Sequence, residues 1–487
     1  MRHITKRIFT RGTWITACLF IVSVLPFTFV THSLFISSPE VQQDEAVIYD
    51  ITHSLVTRGV LATNLYSTAV PSLSKYTYTH PPLYFYFLAG WIRVFGDSLE
   101  TGRMLSVLLG FVSLLLFFIL ARAIIKNTPL AAAGTFLLSM DSFFSGSARL
   151  IRMDMLSFVF VLMGILSYVR VMHTNLPRRL LPAGIFGGLA VLTHPLGLLA
   201  PLVILADILT DKLPRKTILN KSLPIILPTL VFLAVWFLSM GNSFIVFTSQ
   251  FMGMLAYKRI NPSMLSLILD YGIVAELVRI GITISSILVG IAAYIRLRDR
   301  MTKFLIVSLI ITVVVVYSSK EWVYSLYICP FFLLTMLRKL TPPAEVWYRT
   351  ASMVLLIAYT VVNVLILWVE LRQQYPGYAY HDYTRLIRKV LPKQATVLLY
   401  SIPDPYFDLR KRTGLTLIEM AHLTPPQEMV RLINESDYVI YDELETSPLS
   451  IFPQNIAKYT TIIPTPNGDR LFVIQLIPKT QRIFDNE

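Results

Sequence analysis

Apolar runs dominate the chain between residues 13 and 370, and most of them approach the length of a membrane span. A helix needs about 20 apolar residues to cross the hydrocarbon core of a bilayer. The pattern therefore predicts a polytopic α-helical membrane protein with about 11 transmembrane helices. The predicted spans lie near residues 14–36, 104–125, 129–144, 155–171, 180–192, 196–209, 223–240, 273–295, 304–317, 323–337 and 352–371.

The segment between the first two spans, residues 37–103, carries two further helical patterns. VIYDITHSLVTRGVL has an amphipathic helical period. PPLYFYFLAGWIRVFG is apolar but short and rich in Tyr and Trp, which is typical of a helix at the membrane interface. A second long loop is predicted at residues 241–271, between two later spans.

The tail after residue 371 has a different pattern, because its apolar content falls and its charges become frequent. DYTRLIRKVLP and TPPQEMVRLINES are predicted helices, and ATVLLY, DYVIYD and RLFVIQLI are predicted strands. Residues 1–371 are thus predicted to form a transmembrane domain and residues 372–487 a small outer α/β domain. The tail holds no G-x-G-x-x-G motif, P-loop or nucleophile elbow.

The composition supports the membrane class. The chain is 54% hydrophobic and only 15% charged, whereas about a quarter of the residues of a soluble globular protein are charged. The net charge of +14 could indicate nucleic-acid binding, but in a membrane protein basic residues more often mark cytoplasmic loops. Cys18 and Cys329 fall in different spans, which favours buried apolar side chains over a disulfide or a metal site.

The basic residues also predict the orientation of the chain. They concentrate in alternate polar segments, at residues 2–11, 122–126, 178–179, 212–221, 296–303 and 338–349. Cytoplasmic loops carry this excess of Lys and Arg, so the N-terminus is predicted to be cytoplasmic. An odd number of spans then places the tail outside. The first apolar run is longer than the core of a signal peptide, so it is expected to remain as the first span.

Several ionisable residues collect at the predicted outer ends of the spans. Such groups are costly near a membrane and tend to be functional, above all when several converge on one face. The candidate site residues are Asp44, Glu45, His80, Arg149, Arg152, Asp154, His194 and Lys320.

The acidic and arginine candidates also have structural explanations. Asp44 and Glu45 could cap a helix that starts beside them, because acidic groups favour a helix N-terminus. Arg149 and Arg152 could bind lipid headgroups. Asp154 follows Arg152 by two residues and is expected to pair with it.

The remaining candidates have structural explanations as well. His80 and His194 each precede a proline and could mark turns, and Lys320 could anchor a span at the interface. Asp50, six residues after Asp44, is expected to be a surface residue.

Taken together, the candidates point to a particular chemistry. A carboxylate at the outer face can act as general base towards an acceptor hydroxyl. Nearby Arg, Lys and His side chains can bind a phosphate and stabilise it as a leaving group. The combination indicates transfer of a sugar from a lipid phosphate. Two alternatives stay open. One is a lipid or sugar transporter, which usually has polar groups near the bilayer midplane, and the other is a non-catalytic scaffold or receptor.

Six motifs then occur in a recognisable order. They are Asp44-Glu45 after the first span, His80-Pro81-Pro82 before the aromatic helix, Gly102-Arg103 at the second span, Arg152-Met153-Asp154, Leu192-Thr193-His194-Pro195, and Lys320 with Tyr327 before Pro330. This order resembles the lipid-linked-sugar glycosyltransferases with the C-type (GT-C) membrane fold. They include protein O-mannosyltransferases and the bacterial transferases that add aminoarabinose to lipid A.

The resemblance implies a role for each candidate. Asp44 would be the general base of a single, inverting displacement at the anomeric carbon, and Glu45 and Asp154 would position the base or the acceptor. The donor phosphate would contact the basic candidates, His80, Arg149, Arg152, His194 and Lys320. His194 departs from the family pattern, which often has Lys at this turn.

The resemblance also implies partners and a location. The donor would be a polyprenyl-phosphate sugar, the acceptor a lipid, glycan or protein, and the site the outer face of the plasma membrane of a prokaryote. Some relatives use a divalent cation and others do not, so no cofactor is assigned and a divalent cation stays open. No nucleotide sugar is needed at this step, in agreement with the lack of a nucleotide-binding motif.

Overall fold

The apolar runs fold as helices, and the tail folds around a small sheet, in the computed structural model of this chain. The structure describes residues 11–36, 43–65, 67, 70–174, 176–211, 213–240, 243–260, 273–319, 322–341, 345–372, 380–400, 404–420, 424, 426–442, 448–451, 456–464 and 470–478.

The helices before the tail follow the predicted apolar and amphipathic segments. In chain order they are α1 Arg11–Ile36, α2 Gln43–Arg58, α3 Leu83–Phe95, α4 Leu99–Ile125, α5 Thr128–Ser139, α6 Ser142–Ser147, α7 Asp154–Val171, α8 Leu181–Thr193, α9 Leu199–Thr210, α10 Arg215–Ser239, α11 Phe244–Ile260, α12 Ile273–Leu297, α13 Arg300–Ser318, α14 Ile328–Lys339 and α15 Val346–Arg372. Helices α2 and α3 confirm the two helical patterns expected between the first spans.

Seven helices of the described residues are long and apolar enough to cross a membrane, namely α1, α4, α7, α10, α12, α13 and α15. The protein is therefore a multi-pass α-helical membrane protein. The count of about 11 spans is not confirmed, because four of the predicted spans fold as shorter helices.

Polar breaks explain two of these shorter helices. The predicted span at 129–144 divides because α5 ends at Ser139 and Asp141 caps α6, accepting a hydrogen bond from the backbone N–H of Phe144 at 2.8 Å. The 12 residues of α5 extend only about 18 Å. The predicted span at 323–337 likewise starts as the 3₁₀ helix Trp322–Tyr327 before α14 begins.

Helices α8 and α10 pack with their backbones close together. A methyl group at Gly184 would meet the carbonyl oxygen of Pro224, and one at Gly188 would meet the ring of Phe232. Small residues permit such close approach between membrane helices. This packing fixes α8, whose last residue is Thr193.

Charged residues close the predicted cytoplasmic ends of α9 and α13. Asp211 pairs with Arg300 at 2.7 Å and with Lys303 at 2.5 Å. Asp207 is buried and accepts a hydrogen bond from the Tyr168 hydroxyl at 2.5 Å. Two of the basic residues expected at this end, Arg300 and Lys303, are therefore paired with an acidic partner within the helix bundle.

The tail contains a five-stranded sheet in the order β2-β1-β3-β5-β4. Strands β1 to β3 pair in parallel, and β5 pairs antiparallel with both β3 and β4. Its elements are α16 Tyr380–Val390, β1 Ala395–Tyr400, α17 Asp404–Leu409, β2 Leu415–Met420, α18 Pro426–Glu435, β3 Tyr438–Asp442, β4 Ala457–Pro464 and β5 Arg470–Leu476. The three predicted strands and two predicted helices are confirmed, whereas α17, β2 and β4 were not predicted.

The two faces of the sheet have different neighbours. Leu398 and Val439 point to the face that packs with Leu432 and Ile433 of α18. The alternate positions point the other way, into the hydrophobic core that continues to the membrane helices through Tyr406 and Phe407 of α17. The tail therefore packs on the helical region through its α17 side.

Candidate active site

The site is built around the start of α2. Asp44 and Glu45 lie in its first turn, where acidic side chains favour the positive end of the helix dipole. Neighbouring positions on a helix diverge by about 100°, so the two carboxylates meet different surroundings. The Asp44 side chain is 68% exposed, whereas Glu45 is completely buried.

Glu45 is held by a two-pronged ion pair. Arg103 donates from Nε and Nη2 to its two carboxylate oxygens at 2.8 and 2.7 Å. The backbone N–H of Ile151 donates to the same carboxylate at 3.1 Å. Glu45 therefore joins α2, α4 and the loop before α7, and its carboxylate is committed to these partners.

Arg152 joins Asp44 to Asp154. Its Nη1 donates to Asp44 Oδ2 and its Nε to Asp154 Oδ2, each at 2.8 Å. Burial alone would lower the pKa of Arg152, but the two carboxylates outweigh burial and raise the pKa, so the guanidinium stays charged. The pair expected between Arg152 and Asp154 is present, and Asp44 extends it.

Asp154 has one oxygen left for a further contact. Its Oδ1 is buried without a hydrogen-bond partner among the described residues, and it lies 3.9 Å from Nε2 of His194. His194 Nδ1 accepts a hydrogen bond from the backbone N–H of Leu196 at 3.1 Å. The neutral imidazole then carries its proton on Nε2 and directs it towards Asp154.

The backbone places His194 at a sharp turn. His194 ends α8 in an extended conformation, and Pro195 starts the next 3₁₀ turn. A methyl group at Gly197 would overlap the backbone of Ala190. Only glycine fits this close approach. Gly197 therefore permits the tight turn that holds the His194 imidazole beside Asp154.

Tyr324 and Tyr327 complete this wall of the site. The Tyr324 ring lies 5.2 Å from that of His194. The buried Tyr327 hydroxyl donates to the backbone carbonyl of Asp154 at 3.3 Å. Tyr327 belonged to the sequence motif before Pro330, so its contact links that motif to Asp154.

Of the other predicted phosphate-binding residues, two lie beside helix ends and one lies outside the residues that the structure describes. His80 is half-buried in the turn before α3, with its ring 6.4 Å from that of Phe85. Arg149 is half-buried at the end of α6, where its Nε donates to the carbonyl of Ser145 at 3.1 Å. Lys320 lies outside the residues that the structure describes.

Asp50 is not a surface residue, and that expectation is wrong. Its side chain is 7% exposed. It accepts hydrogen bonds from the hydroxyls of Thr63 at 2.7 Å and Tyr406 at 2.9 Å, and it pairs with Arg410 at 3.3 Å. Six positions after Asp44, α2 has turned about 600°, which directs Asp50 towards the tail.

A second group of contacts extends this attachment. Tyr49 donates to Asp97 at 2.5 Å, and His53 Nδ1 lies 2.8 Å from the same carboxylate. The guanidinium of Arg410 lies 5.3 Å from the centres of the Tyr49 and Phe407 rings. We call the set Tyr49, Asp50, His53, Asp97, Tyr406 and Arg410 the helix clamp.

Two residues in these clusters were underestimated from sequence. Arg103 appeared only as part of a Gly-Arg step, although its spacing at the start of a span was a signal for a buried cation. Arg410 was not selected at all, because nothing local distinguishes it from other basic residues of the tail. Among the described residues, no group of three or more His, Cys, Asp or Glu side chains is arranged to hold a metal ion.

Comparison with known proteins identifies the fold. Residues 79–239 match the family model of dolichyl-phosphate-mannose-protein mannosyltransferases. ArnT from Cupriavidus metallidurans, in a crystal structure with undecaprenyl phosphate, is similar with a TM-score of 0.62. That similarity covers 95% of this chain and 98% of ArnT at 15% sequence identity. The chain has the GT-C fold.

A second enzyme supports this conclusion. The apo structure of the Archaeoglobus fulgidus oligosaccharyltransferase is similar with a TM-score of 0.55 and 12% identity, over 90% of this chain and 70% of that one. No curated protein sequence matches the chain. The family-model match over residues 79–239 and the shared architecture confirm the GT-C fold that the motif resemblance predicted.

Proposed function

We propose that this protein, with its GT-C fold, is a glycosyltransferase that moves a monosaccharide from a polyprenyl phosphate to a lipid, glycan or protein acceptor, with inversion at the anomeric carbon. One observation carries the proposal. Asp44 is the exposed carboxylate of the central cluster, and it accepts a hydrogen bond from the buried Arg152 at 2.8 Å. In this arrangement Asp44 takes the proton from the acceptor hydroxyl as that hydroxyl attacks the sugar.

Burial of the other carboxylates favours inversion. A retaining mechanism needs a second carboxylate that can attack the anomeric carbon. Glu45 is completely buried against Arg103, and Asp154 is 1% exposed and bonded to Arg152. Neither is open to a sugar ring, so a single displacement with Asp44 as base is the route that these residues support.

The surroundings suit a phosphate leaving group on a lipid. Arg152 keeps N–H groups beyond the two that bond Asp44 and Asp154, and His80, Arg149, His194 and Lys320 are the further candidates for phosphate contacts. Leu192, next to the His194 turn, packs with Trp236 and Met240. This apolar cluster supports entry of a prenyl chain from the membrane. The undecaprenyl phosphate bound to ArnT supports the same class of donor.

The helix clamp supports an extracytoplasmic place for the tail. Tyr406 and Arg410 contact Asp50 on the helix that begins with Asp44, so the tail and the proposed base lie on the same side of the membrane. We propose that residues 372–487 form a domain outside the plasma membrane and that the N-terminus is cytoplasmic. The domain would help to select the acceptor.

Mass spectrometry of envelope lipids, glycans and proteins tests the proposal in the native cell. Deleting the gene should remove one monosaccharide modification, the wild-type gene should restore it, and a gene carrying Asp44→Asn should not. A donor lipid that accumulates in both defective strains would confirm its class. If Asp44→Asn restored the modification, the assignment of the base would be wrong. If deletion only moved a lipid between leaflets, the transporter alternative would replace the proposal.

A further inference from the structure

Arg152 occupies the space between the two aspartates of the site. Its Nη1 and Nε lie 2.8 Å from Asp44 Oδ2 and Asp154 Oδ2. Carboxylate oxygens are preferred ligands of Mg²⁺ and Ca²⁺, so a divalent cation is the other group that could join two such aspartates. We propose that the guanidinium of Arg152 replaces a divalent cation in this site, so that transfer needs no metal.

The geometry leaves little room for an ion between the bonded oxygens. Mg²⁺ and Ca²⁺ sit about 2.0–2.6 Å from carboxylate oxygens, and the Arg152 nitrogens already lie at hydrogen-bond distance from the same atoms. An ion joining Asp44 Oδ2 and Asp154 Oδ2 would have to displace the guanidinium. Among the described residues no third acidic, His or Cys ligand joins these two in a metal-binding group.

The charges of these three residues also disfavour a divalent cation. Arg152 and Asp154 are 9% and 1% exposed, so little water screens them. A dication beside the buried guanidinium would be repelled strongly at this distance. The guanidinium instead balances one of the two carboxylates and leaves a net single negative charge on the trio, which suits a base that accepts a proton.

Arginine is also suited to holding the two aspartates in fixed positions. Its planar group donates along fixed directions to two acceptors, whereas a lysine ammonium is a flexible point charge. The chain anchors Asp154 at the start of α7 through Tyr327. Asp44 is thereby positioned against a rigid part of the molecule without a metal ion.

The test removes the internal cation and asks whether a metal ion takes its place. Purified full-length protein in detergent is prepared as wild type, Arg152→Gln, Arg152→Gln/Asp154→Asn, and Arg431→Gln. Arg431 is a matched control, because it also lies between two carboxylates, those of Glu428 and Glu435, on the exposed α18. Size-exclusion profiles and thermal unfolding establish that each variant is folded.

Binding of MnCl₂, followed by electron paramagnetic resonance, gives the readout that does not depend on activity. Wild type and Arg431→Gln should show no saturable Mn²⁺ site. Arg152→Gln should gain one site, and the added Asp154→Asn change should abolish it. Saturable binding by wild type, or a folded Arg152→Gln protein that binds no Mn²⁺, would overturn the inference.

The activity readout rests on the proposed function. Release of undecaprenyl phosphate from a panel of undecaprenyl-phosphate monosaccharides is measured in EDTA and after adding MnCl₂. Wild type should be indifferent to EDTA, and Arg152→Gln should lose about 100-fold and regain at least part of that loss with Mn²⁺. Loss of wild-type transfer in EDTA would overturn the inference. If wild type used no donor of the panel, the proposed function would be in question, while the Mn²⁺ result would still decide the role of Arg152.

Discussion

Helix α2 carries two aspartate–arginine pairs with opposite properties, one at its start and one halfway along it. At its start, Asp44 is 68% exposed and the Arg152 beneath it is buried. Further along, Asp50 is 7% exposed and accepts from Thr63, Tyr406 and Arg410. The first carboxylate can still meet a substrate, whereas the second is fully committed to protein partners.

The difference shows how one helix separates chemistry from attachment. An aspartate with unused hydrogen-bonding capacity at an exposed edge can accept a proton, whereas a buried and saturated aspartate stabilises a packed interface. The helix clamp ties α2 to the tail through the second kind of residue. Through these contacts the tail can influence Asp44 by setting the orientation of the helix.

The largest expected effect is on activity, and it distinguishes the Asp44 pair from the Asp50 pair. Asp44→Asn should lower transfer about 10²- to 10⁴-fold, because a neutral amide cannot act as general base. Its melting temperature should stay near that of wild type, since the side chain is exposed. Assays of donor turnover and thermal unfolding on the same preparation provide the check. A variant that kept its activity and lost stability would make this end of the helix a structural contact.

Glu45→Gln should have the largest effect on stability. It leaves Arg103 buried without its anion, which typically costs about 3–5 kcal/mol in the free energy of unfolding. Thermal unfolding in detergent measures the loss. The double variant Glu45→Gln/Arg103→Gln should lose less than the sum of the two single variants, because the residues act as a pair. Additive losses would show that the contact contributes little.

In the helix clamp, Arg410→Gln should have a moderate effect on stability. Hydrogen bonds to charged groups contribute about 1.5–3 kcal/mol, so the free energy of unfolding should fall by about that much. The tail should also become more susceptible to limited proteolysis. Arg412→Gln is the control, because Arg412 donates to the backbone carbonyls of Arg388 and Leu391 within the tail. Equal sensitivity of both variants would argue against a specific clamp.

The smallest expected effect is a pH dependence of the folding stability that Asp97 contributes. Burial alone would raise its pKa, but His53, Tyr49 and Arg410 outweigh burial and hold the pKa well below its ordinary value. Its stabilisation is therefore complete above the unfolded pKa of about 3.9 and is lost as the pH falls through the lower folded value.

Thermal unfolding of wild type and Asp97→Asn across pH 7 to 3 measures this contribution. The difference in melting temperature should be constant near neutrality and should shrink below about pH 4. A difference that grew in acid would contradict the assigned sign.

The sequence determined the features that depend on local pattern. The strand ATVLLY became β1 at the predicted residues, and the aromatic segment that contains Trp91 became α3. The motif order also pointed to the GT-C fold. Apolar periodicity and turn residues are local properties, so they survive in any tertiary context that buries the apolar face. The divided spans were harder to predict from the sequence, because a single capping residue, Asp141, ended an apolar run.

Tertiary structure decided what each charged residue does. Asp44, Glu45 and Asp50 lie within one stretch of seven residues. Their partners lie 108, 58 and 360 positions away, at Arg152, Arg103 and Arg410. The function of a carboxylate depends on its burial and on the number of its bonds, and both come from these distant segments. The sequence identified a group of acidic residues, and only the packing of remote helices distinguished the exposed base from the buried anchors.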